Sequence, residues 1–258
     1  MNRLEGAVLT WWGPSVGVVA IDVGALAESI TNELEACGTA DRAMREQGYL
    51  KSGLHHFGAS VPAIRSVAKT TARRHRDLTH EQLVELVGAL WAQPVHECRM
   101  VCVELLSAYG DRLDPIDASL LERFVRESRT WALVDGLAIS VVGRLVERFP
   151  ELNQVLDRWA TDGDFWLRRS ALLALLVPLR EGRGDFERFG RYADLMLDER
   201  EFFVRKAIGW VLRDTGRQRP DLVFDWLLPR ARQASGVTIR EAIKPLSAEQ
   251  RATINAAR

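Results

Sequence analysis

The chain has 258 residues, 47 % of them apolar and 27 % charged, which excludes global disorder and suffices for one sizeable core or a stack of repeats sharing one. Thirty-five basic residues balance 35 acidic ones, so coating of nucleic acid by bulk charge is excluded, although a local basic face is not. Three cysteines, Cys37, Cys98 and Cys102, are too few for a disulfide framework and point to a reducing cytosol. Cys98 and Cys102 share a helix face, but no second Cys or His pair completes a zinc set.

The first 22 residues read as a loosely structured extension. The stretch from Ala7 to Ala27 comes nearest to a membrane span, but Gly13, Pro14, Gly17 and Asp22 interrupt it, and a spanning helix needs roughly 18 uninterrupted apolar residues. Glu5 beside Arg3, with no cleavage site following, argues against a signal peptide. The folded part is expected to run from Val23 to Arg258.

From there the pattern is helical. Leu26, Ile30, Leu34 and Cys37 recur at three- and four-residue steps, as do Leu83, Leu86, Val87 and Leu90, whereas no long segment alternates with a period of two. Gly110, Pro150, Gly163, Gly182, Gly184, Gly216 and Pro220 fall where helices should end. The fold class is all-α.

The chain also repeats itself. Phe165-Trp-Leu-Arg-Arg-Ser-Ala-Leu is echoed by Phe202-Phe-Val-Arg-Lys-Ala-Ile-Gly, and again by Thr238-Ile-Arg-Glu-Ala-Ile, Glu97-Cys-Arg-Met-Val-Cys and Ala63-Ile-Arg-Ser-Val-Ala. The arginines mark a register at 65, 99, 168, 205 and 240, in steps of 34, 69, 37 and 35 residues. The long step is a double one whose missing member is expected near Trp131. This period is that of HEAT-like helix pairs, which bury their apolar faces only by stacking. About six pairs are expected, forming a right-handed α-solenoid whose concave side carries the register residues as a stripe.

That stripe holds Arg168, Arg169, Arg205 and Lys206, while Arg65, Lys69, Arg73 and Arg76 share one helix face. Between Asp22 and Gln47, by contrast, six acids face two bases. Charge is segregated along the chain, and a basic concave face suits a phosphate backbone. A charge run on a helix is also the ordinary pattern of a solvated surface. Trp131 stands four residues before Asp135, on one helical face, and Trp210 lies five beyond Arg205. Core packing explains such residues equally simply. The chemical alternative is a carboxylate beside indole faces, which favours a developing sugar cation through charge and ring quadrupoles and is suited to cleaving an N-glycosidic bond.

Several stretches resemble the AlkD family of bacterial DNA alkylation repair glycosylases. These are Gly48-Tyr-Leu-Lys-Ser, Phe57-Gly-Ala-Ser-Val-Pro, Ser128-Arg-Thr-Trp-Ala-Leu-Val-Asp, Phe165-Trp-Leu-Arg-Arg-Ser-Ala, Glu201-Phe-Phe-Val-Arg-Lys-Ala-Ile-Gly-Trp-Val-Leu-Arg and Arg240-Glu-Ala-Ile-Lys. The resemblance implies a glycosylase acting on alkylated, cationic purines such as 3-methyladenine or 7-methylguanine in duplex DNA. It implies no metal or organic cofactor, and catalysis without drawing the base into a pocket, unlike the base flipping of most such enzymes. By the same resemblance Asp135 is the catalytic carboxylate, Trp131 and Trp210 pack around the deoxyribose, Arg169 holds the backbone, and Tyr49 and Lys51 belong to a DNA-contacting element. Arg65, Lys69 and Arg73 are added as phosphate contacts on charge pattern alone.

Two departures stand out. Thr130 occupies a place where family members often carry a second aromatic, so a looser aromatic wall is expected there. His55 and His56 replace apolar or aromatic residues and read as a loop or helix-end pair. A cytoplasmic monomer is the default expectation. A glycosylase for bulky natural-product adducts, a non-catalytic binder of DNA structures and a protein scaffold remain alternatives.

Overall fold

The structure, a computed structural model, describes residues 21–258. The loose extension expected over residues 1–22 therefore lies almost wholly outside the described residues. Asp22 caps the first helix, its Oδ1 accepting the Ala25 N–H at 2.9 Å.

The described chain is helical throughout, with a lone His55–Val95 bridge as its extended pairing. In chain order the helices are α1 (Val23–Ala36), α2 (Ala40–Leu50), α3 (Val61–Arg74), α4 (His80–Ala92), α5 (His96–Ala108) and α6 (Ala118–Ser128). Next comes α7 (Trp131–Gly136), which runs through a π-helical stretch (Leu137–Val142) into α8 (Gly143–Arg148). They are followed by α9 (Asn153–Trp159), α10 (Phe165–Leu173), α11 (Leu176–Arg180), α12 (Phe186–Leu195), α13 (Phe202–Gly216), α14 (Pro220–Leu227), α15 (Gly236–Ala242) and α16 (Ala248–Ala256). The starts are written in the sequence. Ser60, Thr79, Asp164, Asp185, Ser235 and Ser247 each cap a helix through the side chain, at about 1 kcal/mol apiece.

Taken in pairs, the helices form the expected solenoid. α3, α5, α7–α8, α10–α11, α13 and α15 stack on one another in that order as a stripe-bearing row. α1, α4, α6, α9, α12 and α14 supply their partners, with α16 after the last pair. Leu34, Leu83, Leu90, Leu105, Phe124, Leu133, Leu172 and Val211 are buried between the rows in one continuous core. Glycines mark the closest approaches: a Cβ on Gly209 would stand 2.8 Å from the Thr238 carbonyl oxygen, which lets α15 pack directly on α13.

Hydrogen bonds between neighbouring repeats reproduce the period. Tyr109 Oη donates to the His75 carbonyl (2.8 Å), Trp91 Nε1 to Glu127 (2.8 Å), Trp159 Nε1 to Glu122 (2.9 Å) and Tyr192 Oη to Asp157 (2.6 Å), over separations of 34 to 37 residues. A second arginine register also emerges, at Arg76, Arg112, Arg148, Arg183 and Arg219. Arg112 donates to the Arg76 carbonyl, Arg148 to the Gly110 and Asp111 carbonyls, Arg183 to Glu147, and Arg219 to the Arg183 carbonyl. These cations satisfy carbonyls and charge near helix C-termini, where the backbone leaves acceptors unpaired.

The helix frame corrects the expected register. Trp131 is the first residue of α7, as Phe165 and Phe202 are of α10 and α13. The counterpart of Arg169 one repeat earlier is therefore Asp135, and one carboxylate stands in a row otherwise filled by Arg65, Met100, Arg169, Lys206 and Arg240.

Candidate active site and nucleic-acid interface

The approach to Asp135 begins in the turn before α7. Arg129 ends α6 in the left-handed region (φ 47, ψ 17). Thr130 then returns to extended backbone (φ −148, ψ 140), so the chain reverses and Trp131 opens the next helix. A non-glycine residue held there costs about 1 kcal/mol. Lys51 ends α2 in the same way (φ 49, ψ 40), and these two are the non-glycine residues at positive φ among the described residues.

Trp131 and Asp135 lie one turn apart on α7, and the π-helical stretch begins two residues after Asp135. Such widened turns re-aim side chains and are frequent at functional sites. The Asp135 carboxylate meets Arg169 from α10 in a two-pronged pair, Nε to Oδ1 and Nη2 to Oδ2, each 2.7 Å. Arg169 is only 3 % exposed. It also donates from Nη1 to the Phe203 carbonyl, and its guanidinium lies 5.8 Å from the Phe203 ring. The Asp135 side chain keeps 15 % of its surface open. The geometry is that of a charge-assisted fork, which fixes the orientation of both groups.

Tyr49 borders the other side. It is 75 % exposed, and its ring meets Trp131 edge-on, with centroids 6.1 Å apart and planes at 89°. Its helix, α2, buries none of its side chains and is held from its ends. Gln47 Nε2 donates to the Leu54 carbonyl at 3.1 Å, and the Thr39 N–H to the Gly58 carbonyl at 3.3 Å. Gly58, at φ 82, passes so close that a Cβ would stand 2.2 Å from the Thr39 oxygen. The Phe57–Ala59 loop is fixed in turn by Glu97, which is fully buried and accepts the N–H groups of Phe57, Gly58 and Ala59 at 3.0, 2.6 and 3.2 Å. The sequence pattern does not single out Glu97 as a site residue. Its one signal there is an acid on the helix face that buries Cys98, Val101 and Cys102.

The remaining expectations divide. Trp210 is half-buried on α13, two turns beyond Phe203, and its Nε1 donates to Asp214 Oδ2 at 3.2 Å. Among the described residues no hydrogen bond or ring contact joins it to Asp135 or Trp131. Arg168 donates to Glu199 (3.0 Å from Nε) and to the Asp162 and Gly163 carbonyls (2.7 and 3.0 Å), and Arg205 donates to the Glu199 carbonyl. Both arginines, expected on charge pattern to face phosphates, are committed to Glu199 and its surroundings. Arg169, expected to hold the backbone, is committed to Asp135. Lys206 is exposed above the Phe202 ring at 5.8 Å. Thr130, expected to loosen the aromatic wall, is buried and does not line the surface.

Arg65, Lys69, Arg73 and Arg76 line one open groove along α3, completed by Arg144 from α8 and by Glu104. Glu104 accepts from Arg65 at 3.0 Å, yet the Arg65 side chain remains 65 % exposed. Arg144 is not legible in the sequence as part of this face, since it joins α3 only through the stacking of three helices.

Two clusters gather ligand-type side chains. Glu46, His56 and Glu97 converge, but the Glu97 oxygens are already taken by three amides, so a cation there would have to displace the loop. His56 stacks on His96 with ring centroids 4.5 Å apart. Burial pushes both imidazoles down, His96 to about 4. His55, its neighbour, is exposed in the loop, so the pair does sit in a loop while its two members face opposite ways. In the second cluster His80 Nε2 lies 3.0 Å from both oxygens of Asp117, and that hydrogen bond raises the His80 pKa. Its role is to join adjacent repeats.

No helix among the described residues is long and apolar enough to cross a membrane. The profile of a family described as DNA alkylation repair enzyme matches residues 30–246. The fold is similar to a solved structure described as a predicted DNA alkylation repair enzyme from Enterococcus faecalis, at 22 % identity and a TM-score of 0.75, over 82 % of this chain and 97 % of that one. It is similar also to AlkD2 from Streptococcus mutans, at 16 % identity and a TM-score of 0.63, over 88 % of this chain and the whole of that one. No curated protein matches in sequence. With the family profile spanning most of the described solenoid, the chain belongs to the DNA alkylation repair enzyme family.

Proposed function

We propose that the protein is a DNA glycosylase that hydrolyses the N-glycosidic bond of alkylated, cationic purines of the 3-methyladenine and 7-methylguanine type in duplex DNA. The observation that carries this reading is the Asp135–Arg169 fork beside Trp131, a single oriented carboxylate in a row otherwise made of four cations and Met100. A buried arginine that holds both carboxylate oxygens fixes where the negative charge points, which is the preorganisation that transition-state stabilisation needs.

In the proposed reaction the C1′–N bond breaks with its electron pair passing to the base, whose positive charge is thereby cancelled. Positive charge builds on the deoxyribose, as it does on the sugar in O-glycoside hydrolysis. Asp135 offsets that charge with its outward lone pairs, and the Trp131 indole offers its negative face. Water adds to C1′ on the side of the carboxylate and gives up a proton to Asp135 or to solvent. The leaving base needs no proton, which suits a site with one carboxylate and, among the described residues, no partnering acid. Tyr49 is 75 % exposed and borders the reacting sugar on the open side rather than closing a base pocket, in keeping with catalysis that leaves the base in the helix. Trp210 is assigned the far flank, and Lys51, Arg65, Lys69, Arg73 and Lys206 the phosphate contacts.

Release of free methylated purines from duplex DNA treated with a methylating agent tests the reading, with the native chain compared against Asp135→Asn. Release by the native chain alone supports it. No release by either, with salt-sensitive DNA binding intact, moves the assignment to bulky adducts or to a non-catalytic binder.

A further inference from the structure

Among the described residues, the two non-glycine residues in the left-handed region, Lys51 and Arg129, are both basic, and each sits two residues from one of two rings in edge-on contact, Tyr49 and Trp131. Neither position asks for a long cation on structural grounds, because a left-handed residue after a helix is the place where glycine is free of strain. Both side chains are exposed. Among the described residues, neither has a carboxylate within ion-pair distance or a side-chain hydrogen bond. The arginines around Arg129 are different. Arg126 is held by Glu122 and Asp162, Arg99 by the Glu127 carbonyl, and Arg123 lies near Glu127.

Persistence of strain where a small residue would relieve it, with the charge left unspent, marks a functional constraint. The flanking geometry says what kind. Arg129 immediately precedes the buried Thr130 and the start of the helix that carries Asp135, so an anion held there is fixed relative to Trp131 and the carboxylate. Lys51 follows Tyr49 by two residues, at the C-terminal end of α2. We propose that Arg129 and Lys51 form a phosphodiester clamp on either side of the Tyr49–Trp131 contact, with Arg129 as a DNA-positioning residue that seats the strand against Trp131. A guanidinium suits this place because its planar fork matches two phosphate oxygens at once. The inference rests on the glycosylase reading above and adds to it a residue that neither the charge stripe nor the family resemblance singles out.

The test compares native chain, Arg129→Gly, Arg129→Gln and Arg129→Lys for binding to an unmodified duplex oligonucleotide across a salt series, with thermal melts alongside. Arg129→Gly relieves the backbone, so its Tm is expected to stay within about 3 °C of native, while affinity falls by about tenfold and the slope of log K against log salt shrinks by about 0.9, the loss of one phosphate contact. Arg129→Gln is expected to lose the same slope, and Arg129→Lys to keep it. Native affinity and slope in Arg129→Gly would overturn the clamp while leaving the glycosylase reading intact. A native chain with no salt-dependent affinity for duplex DNA would overturn both.

Discussion

The α10–α13 segment and α3 carry similar basic patterns and use them in opposite ways. Arg168, Arg169 and Arg205 are each paired inside the protein, to Glu199 and its carbonyl or to Asp135. Arg65, Lys69, Arg73 and Arg76 line an open groove with one acid among them. A cation next to a carboxylate is worth most when both are shielded from water, and a cation facing solvent keeps its charge for an outside partner. In the first group Arg169 therefore orients Asp135 while Arg168 and Arg205 hold the segment around Glu199, and the second group keeps its charge toward solvent.

Breaking the paired group should give the largest effects. Arg169→Ala strands the Asp135 carboxylate in a mostly buried place, and a loss of about 3 kcal/mol of stability is expected, read as a drop in Tm, together with loss of base release. If Arg169 acted on DNA alone, Tm would hold and only binding would fall. Asp135→Asn is expected to keep duplex binding and lose base release by at least ~10²-fold; full activity in a folded variant would remove the carboxylate from the mechanism. Glu97→Gln weakens the charge-assisted bonds to the Phe57–Ala59 loop by about 1–2 kcal/mol and should loosen α2, lowering base release with little change at the α3 groove. Unchanged base release in a destabilised Glu97→Gln would uncouple α2 from the chemistry.

Smaller effects belong to the open group and to the seams between repeats. Lys69→Ala or Arg73→Ala should leave Tm unmoved, weaken duplex binding a few-fold and reduce the salt slope by about 0.9. An unaltered slope in the double variant would detach the α3 groove from DNA. At the seam, the His80–Asp117 hydrogen bond raises the His80 pKa in the folded state. The stabilisation is thus fully present below the unfolded value of about 6.5 and is lost as pH rises through the folded value. Partly exposed as His80 is, the effect should stay below about 1 kcal/mol. The Tm difference between native chain and His80→Gln should be greatest at about pH 5.5 and shrink toward about pH 8; a difference that grows with pH would contradict the assignment.

Much of this architecture is legible in the amino-acid sequence alone. The repeat period, the all-α class, the caps and the pairing of Trp131 with Asp135 one turn apart are local properties, decided by spacing within a helix or between similar segments. The register is less legible. Nothing in the sequence says where α7 begins, so Trp131 reads as the place of the missing arginine, and Asp135 as its neighbour rather than as the counterpart of Arg169. The second arginine row is spelled out at steps of 36, 36, 35 and 36 residues, but its partners are mainly backbone carbonyls, which carry no sequence signature, so its role is decided only by packing.

Amino-acid order thus determines the helix pairs and the chemistry available on each face. Tertiary structure alone decides which charges are spent. Arg169 and Arg73 look alike along the chain, yet stacking α10 on α7 brings a carboxylate to one, and the stacking of α3, α5 and α8 brings Arg144 alongside the other. Whether a charge is paired depends on what the neighbouring repeat presents about 34 to 37 residues away, and only packing converts that separation into a distance.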